Sequence, residues 1–157
     1  MTTNELPDRA NVVAFPPLLF GSTFLVGLLL RFIFPTPLLP RFTAISIGLL
    51  LTIIGVLVLL LAFRQMIQNK TTIHPAGKTT TIVSNGLYRY TRNPMYLALT
   101  FIYAGLSIIA NAFWGLLLLV PLLIVVQKGI IEREELYLTR KFGDEYLRYK
   151  AQVRRWL

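Results

Sequence analysis

The sequence predicts an all-α integral membrane protein with about four transmembrane helices and further helices after the last span. The 157-residue chain is 55% hydrophobic and only 15% charged, whereas soluble domains carry about a quarter charged residues. Its apolar residues form runs long enough to cross a bilayer. Its lysines and arginines lie almost entirely outside those runs. No glycine-rich fingerprint of a Rossmann domain is present.

Four apolar runs account for the predicted spans. Residues 12–34 form the first run, which Arg31 interrupts only near its end, and its length argues against a cleaved signal peptide. Residues 44–63 carry no charge, and at 1.5 Å per residue they span about 30 Å. Residues 94–110 and 112–127 are shorter runs that together fit a tight helical hairpin.

Small residues mark one face of the second predicted helix. Gly48, Thr52 and Gly55 recur there at helical spacing, and small side chains let helices approach closely within a membrane. We therefore expect this face to contact another helix.

Composition excludes several kinds of site. The chain has no cysteine, which rules out disulfides, a thiol nucleophile and a cysteine-ligated metal. His74 is its single histidine, so a site with several histidine ligands is also excluded. No metal site is predicted.

The net charge of +9 indicates membrane topology rather than nucleic-acid binding. With four spans and an inside N-terminus, 14 lysines and arginines lie inside and only Arg31 and Arg41 lie outside. Positively charged loops stay on the cytoplasmic side. The sequence thus predicts a multi-pass protein whose two termini and long polar loop, residues 64–93, face the cytoplasm.

A basic, tyrosine-containing element covers residues 86–96, where this loop enters the third predicted span. Pro94 fits a first helical turn and Asn93 can cap it. Arg89 and Arg92 add positive charge beside helix N–H groups, which suits an anionic ligand. Arginine and tyrosine are also ordinary interfacial anchors, and the residue pattern alone favours that interpretation.

An acidic cluster follows the last span at Glu132, Glu134 and Glu135. A carboxylate here can hold an amine or a pair of ribose hydroxyls, although the charge pattern alone favours a solvated helix face. One segment thus supplies cations and the other carboxylates on the same side of the membrane. Together they suit a zwitterionic cofactor.

The two segments resemble the isoprenylcysteine carboxyl methyltransferase family of membrane enzymes, with related patterns in phospholipid methyltransferases. Residues 86–96 read G-x-Y-R-x-x-R-N-P-x-Y and are similar to the family element G-x-Y-x-x-x-R-H-P-x-Y-x-G. Residues 134–153 read EE, six residues, then F-G-D-E-Y-L-x-Y-K-x-x-V, and are similar to the family's C-terminal signature. The resemblance covers roughly residues 71–157.

The resemblance implies S-adenosylmethionine as the methyl donor, with a catalytic part in residues 64–157 and only a tail and two spans in residues 1–63. It implies that Arg92, Asn93 and Tyr96 are catalytic, with Arg92 orienting the acceptor. It also implies that residues 142–149 help to close the cofactor pocket. The cofactor-binding residues that it implies are Gly86, Tyr88, Arg89, Asn93, Pro94, Tyr96, Glu134, Glu135 and Tyr146. On this basis Glu135→Ala is expected to abolish cofactor binding and Arg92→Ala to impair turnover.

Two positions depart from the family pattern. Asn93 replaces the family histidine, and asparagine cannot titrate. Ala98 replaces a glycine and adds one methyl group. His74 is then the candidate base if the acceptor must lose a proton.

Because a sulfonium donor is already activated, the protein's main task is positioning and water exclusion. A site at the membrane implies a lipophilic acceptor, which is a small molecule, a lipid or a lipid-modified substrate. An isoprenylcysteine carboxylate, a phospholipid amine, a small thiol and an isoprenoid hydroxyl all fit. Two alternatives remain. A membrane reductase of the sterol reductase type would bind a nicotinamide dinucleotide instead. A non-enzymatic membrane anchor would bind anionic lipid through its basic face.

Overall fold

A computed structural model describes residues 10–72, 77 and 79–157, and throughout these residues the regular structure is helical, with no strand. The described α-helices are α1 (Pro16–Ile33), α2 (Arg41–Gln68), α3 (Pro94–Ile109), α4 (Phe113–Val126), α5 (Glu132–Phe142) and α6 (Asp144–Gln152). A short 3₁₀ turn, Gly86–Arg89, precedes α3.

Within the described part of the chain, three helical segments are long and apolar enough to cross a membrane, namely α1, α2 and Phe113–Phe142. The helix α3 is apolar but shorter. This arrangement confirms the predicted all-α membrane fold. The third long segment was not foreseen as one piece, because a π-helical turn, Gln127–Ile131, joins α4 to α5 without a break.

Small residues hold the membrane helices close together. A Cβ atom added to Gly48 would lie 2.6 Å from the Gly105 carbonyl oxygen, and one added to Gly55 would lie 2.9 Å from the Ala98 carbonyl oxygen. The predicted small-residue face of α2 is therefore confirmed as its contact with α3. Gly115 makes a similar approach between α4 and α1, and its carbonyl accepts a hydrogen bond from the Tyr103 hydroxyl at 2.9 Å.

The turn before α3 is fixed by α2. Gly86 has φ +56°, a conformation that glycine adopts without steric cost. The Gln65 side chain packs directly against Gly86, where a Cβ would overlap it, and accepts a hydrogen bond from the Leu87 N–H at 3.1 Å. The end of α2 thus positions the polypeptide that leads into α3.

The helix cap predicted for α3 is wrong. Asn93 occupies the cap position of α3 but caps nothing with its side chain. Its amide instead donates to the Arg155 carbonyl at 2.9 Å, because the end of the chain folds back over the start of α3. Asp144 is the first residue of α6 rather than its cap, and Gly143 holds the cap position with φ +53°.

Candidate functional site

A cavity lies where the start of α3, the first turns of α5, the helix α6 and the loop after α2 converge. Its cavity volume is about 110 Å³. Its walls mix apolar side chains such as Met66, Ile82 and Leu138 with a few charged groups. The loop contributes Thr71 and Thr79, among other threonines.

Glu134 and Glu135 both line this cavity but differ in their partners. Neighbouring residues on an α-helix point about 100° apart, so the two carboxylates cannot do the same task. Glu134 accepts a hydrogen bond from the Tyr96 hydroxyl at 2.8 Å. Among the described residues, Glu134 has no cationic partner.

Glu135 is surrounded by cations. Arg155 binds it through two parallel hydrogen bonds, from Nε to Oε1 and from Nη2 to Oε2, both at 2.9 Å. Arg92 Nη2 lies 3.1 Å from Oε1, and Lys150 Nζ lies 3.4 Å from Oε2. The Glu135 side chain is only 7% exposed. The hydrogen bonds to the Glu135 carboxylate raise the pKa of the Arg155 guanidinium above its usual value, because they favour its charged form.

Arg92 has hydrogen-bonding capacity to spare. Its side chain is 8% exposed, and its contact with Glu135 uses Nη2. Nε and Nη1 are buried and have no hydrogen-bond partner among the described residues. An unsatisfied buried donor costs about 1–3 kcal/mol, and more when the group is charged. Since Arg92 lines the cavity, these donors indicate an anionic group of a ligand.

Tyrosine is unusually abundant around the cavity. All seven tyrosines of the chain lie in the described part, and five of them line it: Tyr88, Tyr96, Tyr137, Tyr146 and Tyr149. Burial raises the pKa of Tyr146 to about 12 and raises that of Tyr88 and Tyr149 as well. These hydroxyls therefore stay protonated at neutral pH. The buried Tyr88 hydroxyl has no hydrogen-bond partner within the described residues.

Most of the predicted site residues meet at this cavity. Those that line it are Tyr88, Arg92, Asn93, Pro94, Tyr96, Glu134, Glu135 and Tyr146. Gly86 and Arg89 lie outside its lining and are exposed on the 3₁₀ turn. His74, the candidate base, lies outside the described residues. No group of three or more metal-ligating side chains occurs in the described ranges.

Arg155 and Tyr137 are the site residues that sequence reasoning missed. Arg155 lies 20 residues after Glu135 and beyond the recognised pattern, so no local spacing relates the two. The available signal was chemical: a buried acidic pair needs nearby cations, and Arg154 and Arg155 are adjacent cations near the end of the chain. Tyr137 lies two residues after Glu135 on α5.

A second concavity opens on the membrane helices next to the first. It is lined by Leu97, Thr100, Leu123, Ile124, Gln127, Lys128 and Trp156. Leu97 and Thr100 follow the cavity residues Asn93 and Tyr96 by four positions, so this groove lies one turn farther along α3 on the same side. The Trp156 indole N–H donates to Gln127 Oε1 at 3.2 Å across its edge.

Two comparisons with known proteins found a match. A family model described as phospholipid methyltransferase matches residues 43–145. An uncharacterized protein of Haemophilus influenzae is 43% identical over 63 residues, which make up 40% of this chain and all of that protein. No solved structure matches. The matched region runs from α2 to the start of α6, and it therefore includes both the basic element and the two glutamates.

Proposed function

The chain belongs to the phospholipid methyltransferase family, and we propose that it uses S-adenosylmethionine to methylate a lipophilic acceptor at the membrane surface. The family and the long apolar helices make it an integral membrane protein of the methyltransferase type. The observation that carries the finer proposal is that one cavity holds a carboxylate without a cationic partner and an arginine with unpartnered donors. Among the described residues, no cation contacts Glu134, and Nε and Nη1 of Arg92 have no acceptor.

These residues fit the cofactor. Its amino acid end carries an ammonium and a carboxylate, and its sulfonium adds a second positive charge. Glu134 would hold a cationic group, since a buried carboxylate needs a counter-charge. Arg92 would hold an anionic group, either the cofactor carboxylate or an anionic acceptor, through Nε and Nη1. The surrounding tyrosine rings favour cations electrostatically.

When bound, the cofactor supplies an activated methyl group that passes to a nucleophilic atom of the acceptor, while the electrons of the broken bond stay on sulfur. The protein's own groups then orient the cofactor and the acceptor and exclude water from them. Tyr96 fixes Glu134 by its hydrogen bond, and Tyr146 and Tyr149 pack with ring centroids 6.1 Å apart at the wall formed by α6. Such positioning and exclusion of water are the main sources of rate in this kind of transfer.

We propose that the polar loop and the 128–157 region face the cytoplasm, because 14 of the 16 lysines and arginines lie on that side in this orientation. The cavity then opens to a compartment from which a polar cofactor can reach it. The neighbouring groove is the better place for the apolar part of the acceptor. Its lining includes the aliphatic side chains of Leu97, Leu123 and Ile124, together with the cation Lys128.

The first test is equilibrium binding of S-adenosylmethionine to the detergent-purified protein. We expect saturable binding, with the demethylated product competing and a reduced nicotinamide dinucleotide neither binding nor competing. Binding of the dinucleotide alone would replace this proposal with the reductase alternative. A folded protein that binds neither would contradict both enzymatic functions.

The groove is tested by filling it. We expect Leu123→Trp to leave S-adenosylmethionine binding intact, because Leu123 does not line the cofactor cavity. Transfer of a radiolabelled methyl group from S-adenosylmethionine to lipids of the host membrane should fall about tenfold or more, because close packing tolerates little added volume. Val120→Trp is the matched control, since Val120 is 61% exposed on the same helix. Equal transfer by the two variants would exclude the groove as the acceptor site.

A further inference from the structure

Arg92 lines the cavity, and the placement of its two unpartnered donors, Nε and Nη1, depends on a residue that does not line it. Among the described residues, Arg92 forms one ion pair, with the Glu135 carboxylate at 3.1 Å. The position of that carboxylate therefore decides where the rest of the guanidinium points. Whatever fixes Glu135 also fixes Arg92.

Arg155 is the group that fixes Glu135 most rigidly. Its planar guanidinium makes two parallel 2.9 Å hydrogen bonds to the two carboxylate oxygens, a geometry that specifies orientation as well as distance. Lys150 approaches one oxygen at 3.4 Å from a side chain that is 40% exposed. A single flexible ammonium restrains the carboxylate much less.

The backbone around Arg155 is bound to the start of α3. The Arg92 N–H donates to the Arg154 carbonyl at 3.0 Å. The Arg155 carbonyl accepts from the Asn93 amide at 2.9 Å and from the Thr91 hydroxyl at 3.2 Å. The segment that carries Arg155 is therefore hydrogen-bonded to Arg92 and to the residues on either side of it, Thr91 and Asn93.

We infer that Arg155 is a positioning residue that, by clamping Glu135, keeps the Arg92 guanidinium turned toward the cavity. The effect that we expect on ligand binding rests on the proposed function. The positioning of Arg92 by Arg155 does not depend on it. Without Arg155, Lys150 is the one described cation other than Arg92 beside Glu135, and it approaches only Oε2, so the carboxylate is free to turn toward Arg92. The guanidinium would then form the paired geometry that arginine and carboxylate favour and withdraw Nε or Nη1 from the cavity.

The geometry can be tested without any ligand. In detergent micelles, the ¹⁵N–¹H resonance of Arg92 Nε reports its hydrogen bonding, and Arg92→Lys assigns it by its disappearance. We expect this resonance to move in Arg155→Ala and, by a smaller amount, in Arg155→Lys, which keeps the charge but loses the paired geometry. Arg154→Ala is the control, because it removes an adjacent exposed arginine side chain and leaves the backbone contacts.

Binding of S-adenosylmethionine provides the second measurement. We expect Arg155→Ala to raise the dissociation constant about tenfold or more, Arg155→Lys to raise it less, and Arg154→Ala to leave it unchanged. If Arg155→Ala does not fold, the comparison of Arg155→Lys with Arg154→Ala decides the matter. An unmoved Arg92 resonance in folded Arg155 variants, or an equal response to Arg154→Ala, would overturn the inference. A moved resonance in a protein that never binds S-adenosylmethionine would retain Arg155 as a positioning residue and refute the proposed function.

Discussion

Replacing Glu134 with glutamine should weaken S-adenosylmethionine binding more than any other change of similar size at the cavity. The substitution keeps the shape of the side chain and an oxygen that can accept the Tyr96 hydrogen bond, which is 2.8 Å long. It removes only the charge. A hydrogen bond to a charged group contributes about 1.5–3 kcal/mol, so we expect affinity to fall about 10- to 150-fold.

The physical reason is the division of cations within the site. Arg92, Arg155 and Lys150 all contact Glu135, and none of the described cations contacts Glu134. A ligand cation is therefore the partner that Glu134 lacks. Glutamine at this position would be easier to bury in the free protein and would offer nothing to an ammonium or sulfonium group.

Titration calorimetry with the purified protein checks this expectation. Glu145→Gln is a suitable control, because it removes the same charge from an exposed position at the start of α6. An unchanged dissociation constant in Glu134→Gln would mean that the carboxylate faces no cationic part of the cofactor. The ammonium would then have to be bound elsewhere in the cavity.

The sequence was sufficient for the membrane architecture because hydropathy acts locally. A run of 20 uncharged residues such as 44–63 has few alternatives to a spanning helix. The small-residue contact between α2 and α3 was predictable for the same reason, since Gly48, Thr52 and Gly55 recur at helical spacing. Helix ends were less accurate, and α2 extends from Arg41 to Gln68.

The details of the site depend on contacts between distant residues, which spacing cannot indicate. Asn93 looked like a helix cap, but the carbonyl that it binds belongs to Arg155. The resemblance assigned both Glu134 and Glu135 to the cofactor, and only the fold shows that the cations gather on Glu135. The continuous helix from α4 to α5 also escaped prediction, because the π-helical turn between them contains no breaking residue except Gly129.

Removing Glu135 should be the most damaging single change to the stability of the site. In Glu135→Ala, Arg92 remains buried without a counter-charge, and Arg155 loses both of its paired hydrogen bonds. Removing one member of a buried ion pair costs about 3–5 kcal/mol. Arg155 and Lys150 are 30% and 40% exposed and can recover some hydration. We therefore expect the free energy of unfolding to fall by about 3 kcal/mol, near the lower end of that range. This corresponds to an unfolding midpoint lower by roughly 6–12 °C.

Thermal unfolding in detergent measures this loss, with Glu145→Ala as the exposed control. The same variant should also bind S-adenosylmethionine poorly, but for a reason that differs from that of Glu134→Gln. Glu134→Gln should unfold at nearly the wild-type temperature and lose affinity, whereas Glu135→Ala should lose both. A Glu135→Ala protein with an unchanged midpoint would show that the three cations do not need this carboxylate. Retained stability with lost affinity would instead place Glu135 in direct contact with the cofactor, as the family resemblance alone implied.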